Sequence, residues 1–204
     1  MDSVGSGEQL SLRVGRAHFL PAGNARSGDL DVVEVERRGG IVAVIDGLGH
    51  GESAAHAADT AAQTIRAHLG EPLMAVVQQC HRELRHTRGV VMSIALIDLE
   101  HALLSWLGVG NVRAVLCRPD SVVGPRRQEL LLRSGVVGAQ LPPLRLAVTP
   151  LVRGDTLVFA TDGVSSKFAD NLPASRQPQA LADAILAEYC MQTDDALVVV
   201  AQLS

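Results

Sequence analysis

The chain has 204 residues, 47% of them apolar and 20% charged, and carries a formal charge of −4. That is the size of one domain and the composition of a folded globular protein rather than a disordered chain. The acidic balance argues against general nucleic-acid binding, which needs a basic face, and no apolar run approaches the ~20 residues that span a bilayer.

Residues 1–9 are small and polar and are expected to be loose, within a single domain spanning 1–204. Leu10–Phe19 alternates apolar and polar positions and predicts a strand. Pro21-Ala22-Gly23-Asn24 reads as a turn. Asp31–Glu36 is a second strand, and Arg37–Gly40 closes a hairpin into the apolar run Ile41–Ile45, which stops at Asp46-Gly47. Glu52–Leu69 is Ala-rich without Gly or Pro and predicts a helix. Gly70 ends it, and Pro72 starts a second helix running to about Thr87. Val90–Leu99, Ala102–Leu107 and Val112–Cys117 predict a strand meander, followed by a loop over 118–127. Leu130–Leu132, Leu144–Val152 and Thr156–Ala160 are further strand candidates. A loop over Asn171–Gln177, a helix over Gln179–Tyr189 and a buried strand over Ala196–Leu203 complete the chain. This order is not a regular βαβ alternation. It predicts an α+β fold of antiparallel sheets covered by helices.

Only one Trp, one Tyr and three Phe are present, so the core must be aliphatic. Cys80, Cys117 and Cys190 are odd in number and form no CxxC pair, which fits a reducing compartment without disulfides. The N-terminus lacks the basic and apolar regions of a secretory signal. A soluble cytoplasmic protein is expected, with no membrane and no nucleic-acid partner.

Acids stand at the ends of apolar strands. Asp46 follows Ile41–Ile45 in VAVIDGLGHG, Asp162 follows LVFAT in LVFATDGV, and Asp194 and Asp195 open TDDALVVV. Asp29 sits in SGDLDVV, between a turn and a strand. A buried strand fixes its terminal backbone, so a carboxylate there is held at the rim of the sheet, reachable by water and cations. Glycine after Asp46 and Asp162 would let the backbone approach an ion. Converging carboxylates without His or Cys make a hard-oxygen site, suited to Mg²⁺ or Mn²⁺. Asp-Gly is also an ordinary turn dipeptide, and spacing alone does not bring these acids together.

Other motifs are blander. His50 lies inside the Asp46 motif and reads as structural or solvent-facing, with the site as its alternative. His81 and His86 are five apart, not four, and read as a solvated helix surface. No GxSxG elbow surrounds any serine, and GLGHG lacks the Lys of a phosphate-binding loop. No cysteine has Arg six positions later. Trp106 reads as core, and Arg126-Arg127 as exposed charge or a contact to an acidic partner.

DGLGHG before an Ala-rich helix, FATDGV about 115 residues on, and DDALVVV at the C-terminus together resemble the metal-dependent PPM protein phosphatases. The SpoIIE-type branch is the nearest, and the length is similar to its stand-alone stressosome feedback phosphatases of RsbX type. The resemblance runs from Asp29 to Val200. It implies a four-layer α/β-β/α sandwich of two antiparallel sheets flanked by helices. It also implies two Mn²⁺ or Mg²⁺ ions, with Asp46 bridging them, the Gly47 carbonyl on one, and Asp162 and Asp194 on the other. Asp194 rather than Asp195 is the ligand by this pattern, and Asp29 holds metal-bound water or ligates occasionally. A metal-bridging hydroxide would attack phosphoserine or phosphothreonine in line. Gly110-Asn111-Val112-Arg113 stands where many members have Gly-Asp-Ser-Arg, so a third ion would be weak or absent. The flap of longer members is nearly missing, which suits a folded protein substrate. None of Arg13, Arg16 or Arg26 is assigned to the substrate phosphate. The implied substrates are phosphorylated STAS-domain stressosome proteins, whose dephosphorylation resets a bacterial stress response. The alternatives are a phosphatase of an anti-anti-sigma factor, or a non-catalytic phosphoprotein-binding module on the same fold. Retention of Asp46, Asp162 and Asp194 favours an enzyme.

Overall fold

A computed structural model describes residues 10–22, 26–119, 124–172 and 177–204. The expectation of a loose 1–9 lies outside the described residues, as do parts of the 21–24 turn and of the 118–127 and 171–177 loops. Among the described residues ten strands form two antiparallel five-stranded sheets. The first sheet contains β2 (Asp29–Glu36), β3 (Gly39–Gly47), β4 (Val90–Asp98), β5 (Leu103–Val109) and β8 (Ala147–Pro150), paired in that order. The second runs β1 (Leu12–Phe19), β10 (Ala196–Leu203), β9 (Thr156–Ala160), β6 (Arg113–Cys117) and β7 (Arg127–Glu129).

The period-two alternation of side chains decides the layers. Val42 and Val44 of β3 point between the sheets, where they meet Ala114, Leu116, Phe159, Leu197 and Val199. Ile41, Ala43 and Ile45 point the other way, onto α1 (Glu52–Ala67) and α2 (Leu73–Glu83). Val198 and Val200 of β10 turn outward onto α3 (Pro178–Tyr189). Because both faces of the central strands are covered, those strands read as unbroken aliphatic runs. Alanines at 54, 57, 58, 61 and 62 let α1 lie close on its sheet. Trp106 is fully buried between the sheets, as expected.

Two expectations need correction. The meander breaks after β5. The chain crosses at Gly110-Asn111-Val112 to the other sheet, where β6 pairs with β7 and β9. Leu130–Leu132 is not a paired strand. The neighbouring strand is Arg127–Glu129, because Leu130 and Leu132 are drawn into the interior beside Gly108, whose missing side chain makes room for them. Leu144–Val152 shortens to Ala147–Pro150, and Ser166–Asn171 forms a 3₁₀ turn. The three cysteines are free. Among the described residues no helix is long and apolar enough to cross a membrane.

Candidate active site

Antiparallel pairing brings the acids to one end of the sandwich. Asp29 opens β2 directly opposite Asp46 near the end of β3. Asp162 follows β9, and Asp194 and Asp195 precede β10, at the same end of the other sheet. Asp29, Asp46, Asp162, Asp194 and Asp195 all border one open cavity of about 770 Å³. Gly47 does not line it.

The five carboxylates are treated differently by the fold. Asp195 is buried and accepts hydrogen bonds from the Gly28 N–H at 2.6 Å and the Ser27 hydroxyl at 3.0 Å. It ties the entry of β2 to the start of β10. Asp194 is exposed at the cavity, and its Oδ1 accepts the Asp195 N–H at 2.9 Å. Asp29 is 7% exposed and accepts the Thr161 hydroxyl at 2.7 Å. That hydroxyl oxygen also accepts the Leu197 N–H at 2.9 Å. Asn111 donates from Nδ2 to Asp162 Oδ2 at 2.9 Å. Burial first, and then the neighbouring carboxylates, push Asp46 up to about 8. Burial likewise raises Asp29 to about 7, against the pull of the Thr161 hydrogen bond.

The glycines of the two Asp-Gly pairs are required by packing. A Cβ on Gly47 would collide with the Ala54 carbonyl of α1, and one on Gly163 with the Asp195 carbonyl. His50 lines the cavity together with Ser134 and Gly135 of the 130–146 segment. His81 is more than solvated helix surface: its Nδ1 accepts the Gly138 N–H at 2.9 Å and holds that segment to α2. Arg127 meets acidic partners within the chain, Glu129 and Asp170. Sequence reasoning passed over Ser27, Gly28 and Thr161, and read Asn111 only as a lost charge. Each acts through a hydrogen bond between distant segments, which spacing does not encode. Thr161 had one signal, its place inside the FATDGV string.

The donor set is all oxygen, which fits hard divalent cations. Among the described residues, no three His, Cys, Asp or Glu side chains form a ready cage around one ion. Ions that keep several water ligands fit such an open arrangement.

A family model described as stage II sporulation protein E (SpoIIE) matches residues 37–204. The chain belongs to the SpoIIE family. As a SpoIIE-family member it is a protein phosphatase of the PPM type. The phosphoserine phosphatase RsbX of Bacillus subtilis (strain 168) is 22% identical over 183 residues, 89% of this chain and 90% of that protein. A crystal structure of RsbX in complex with magnesium superposes with a TM-score of 0.85 at 22% identity, over 95% of this chain and 96% of the other. A structure from work on the bacterial stressosome as a modular system controlling secondary-messenger signalling is 29% identical. It has a TM-score of 0.85 and covers 94% of this chain and all of the other. The SpoIIE-family fold expected from the sequence, two antiparallel sheets flanked by helices, is the observed one.

Proposed function

We propose that this chain is a cytoplasmic Mn²⁺- or Mg²⁺-dependent phosphatase of phosphoserine and phosphothreonine in STAS-domain stressosome proteins, acting to reset a stress response. The observation that carries the chemistry is the gathering of Asp29, Asp46, Asp162 and Asp194 from both sheets onto one cavity. Burial, with the neighbouring carboxylates, raises two of these carboxyls to near neutral pKa. The similarity to RsbX and to the stressosome-related structure supports the substrate class.

Asp46 would contact two ions, with the Gly47 carbonyl completing one and Asp162 and Asp194 the other. Bound divalent ions acidify water and offset charge on phosphoryl oxygens. Asp29, with Oδ2 held by Thr161, would orient water with its other oxygen. Asn111 fixes the rotation of Asp162. Water attacks phosphorus in line, the bond from phosphorus to the serine oxygen breaks, and that oxygen takes up a proton. The products are inorganic phosphate and free serine.

The test is phosphate release from a serine/threonine-phosphorylated STAS protein, with and without Mn²⁺, using Asp46→Asn as control. Release requiring both the metal and Asp46 is expected. Hydrolysis of a small aryl phosphate alone would discard the STAS substrate and keep the chemistry, leaving an anti-anti-sigma factor as the next substrate to assay. No metal-dependent turnover of either would overturn the reading.

A further inference from the structure

A second groove, about 690 Å³, opens directly from the acidic cavity. Gly110, Asn111 and Asp162 border both spaces, so the Asn111–Asp162 hydrogen bond stands at their junction. It is lined by the segment Leu130–Leu132 and by Val164–Ser166 with Met191. Alternation explains the first of these: Leu130 and Leu132 pack inward, so Leu131 is turned out and is 61% exposed. Met191, lining the same groove, is 50% exposed, its N–H bonded to the Gly163 carbonyl in the turn after Asp162. Ser165, Ser166 and the Arg113–Glu129 ion pair at 3.3 Å give the groove polar flanks. Among the described residues the backbone N–H and C=O of Leu131 meet no protein partner. Exposed apolar side chains, polar flanks and free main-chain groups suit an extended peptide. Continuity with the acidic cavity identifies which peptide.

We propose that this groove docks the stretch of substrate chain beside the phosphorylated residue, and that it selects an apolar side chain there, seated between Leu131 and Met191. This rests on the phosphatase reading above. An extended chain advances about 3.3 Å per residue, so the selected side chain lies within a few positions of the phosphoserine. Removing two such contacts should lower selectivity by roughly tenfold or more.

The experiment uses the full chain with saturating Mn²⁺, p-nitrophenyl phosphate, and phosphoserine octapeptides in which one Leu or one Asp is walked through the flanking positions. The readout is kcat/KM for each peptide divided by kcat/KM for the aryl phosphate. The expected result is at least a tenfold preference for Leu over Asp at one or two positions within three residues of the phosphoserine. Leu131→Ser with Met191→Gln should erase it. Both residues are exposed, and an unchanged unfolding midpoint checks the fold. No preference, a preference that survives the substitutions, or peptide and aryl rates falling in parallel overturns the proposal. Hydrolysis of the aryl phosphate but of no peptide overturns the docking groove and spares the phosphatase reading. Hydrolysis of neither overturns both.

Discussion

Asp46→Asn should remove activity and at the same time stabilise the cation-free fold. In the folded chain Asp46 titrates near 8, against an ordinary value of 3.8. Between those pH values the folded chain holds a proton that the unfolded chain has released, so stability falls as pH rises through the window. One group changes stability by at most about 1.4 kcal/mol per pH unit, which is up to about 3 kcal/mol between pH 5 and pH 7. Asp29, near 7, contributes in the same direction. Because Asp29 is one of the carboxylates that raise Asp46, the two shifts are not independent and do not simply add. Asn keeps the shape and loses the charge. The Asp46→Asn chain should therefore exceed its parent by about 2–5 kcal/mol at pH 8 and match it near pH 4. Urea unfolding in chelator, from pH 4 to pH 8, measures this difference, and adding Mg²⁺ or Mn²⁺ should stabilise the parent more than the variant. Equal stabilities at pH 8, or a less stable Asp46→Asn chain, would refute the reasoning.

Adjacent aspartates should separate cleanly. Asp195→Ala frees the Gly28 N–H and the Ser27 hydroxyl and should cost about 1–3 kcal/mol in urea unfolding, whereas Asp194→Asn should leave the midpoint nearly unchanged and lower phosphate release. Asn111→Asp puts a second carboxylate where an amide now donates to Asp162 at 2.9 Å. It should steepen the dependence of turnover on Mn²⁺ at high concentration, and superimposable metal titrations would count against a latent further ion site. Arg118 and Asp155 are a buried pair at 3.9 Å with the Arg118 guanidinium also on the Pro150 carbonyl. Arg118→Ala strands the carboxylate and should destabilise the fold by about 3–5 kcal/mol, seen in thermal or urea unfolding.

Much of this molecule was readable as sequence because its central strands are buried on both faces. Runs such as Ile41–Ile45 and Ala196–Leu203 declared themselves by aliphatic content, and Thr156–Ala160 matched residue for residue. Sheet membership was not readable. Nothing in Gly110-Asn111-Val112 distinguishes a hairpin turn from a crossover, since both need a short irregular stretch with glycine. Leu130–Leu132 misled because an apolar triplet reads alike whether it pairs or packs. The acids were visible as strand ends. Their partners were not, because Thr161 reaches Asp29 across 132 positions and Asp195 reaches Gly28 across 167.

Those long-range bonds have a mechanical consequence. Asp29 and Asp46 lie in strands of one sheet, and Asp162 and Asp194 flank strands of the other. The sheets face each other through aliphatic side chains, which resist separation but have little directional preference against sliding. Registration at the acidic end therefore rests on Thr161 with Asp29, Asp195 with Gly28 and Ser27, and Ser93 with the Val112 carbonyl at 2.6 Å. Each is worth on the order of 1 kcal/mol. A shear of one sheet against the other would pull the two halves of the carboxylate set apart while leaving every strand pairing intact. The reaction geometry is thus held by a seam far weaker than the sheets it joins.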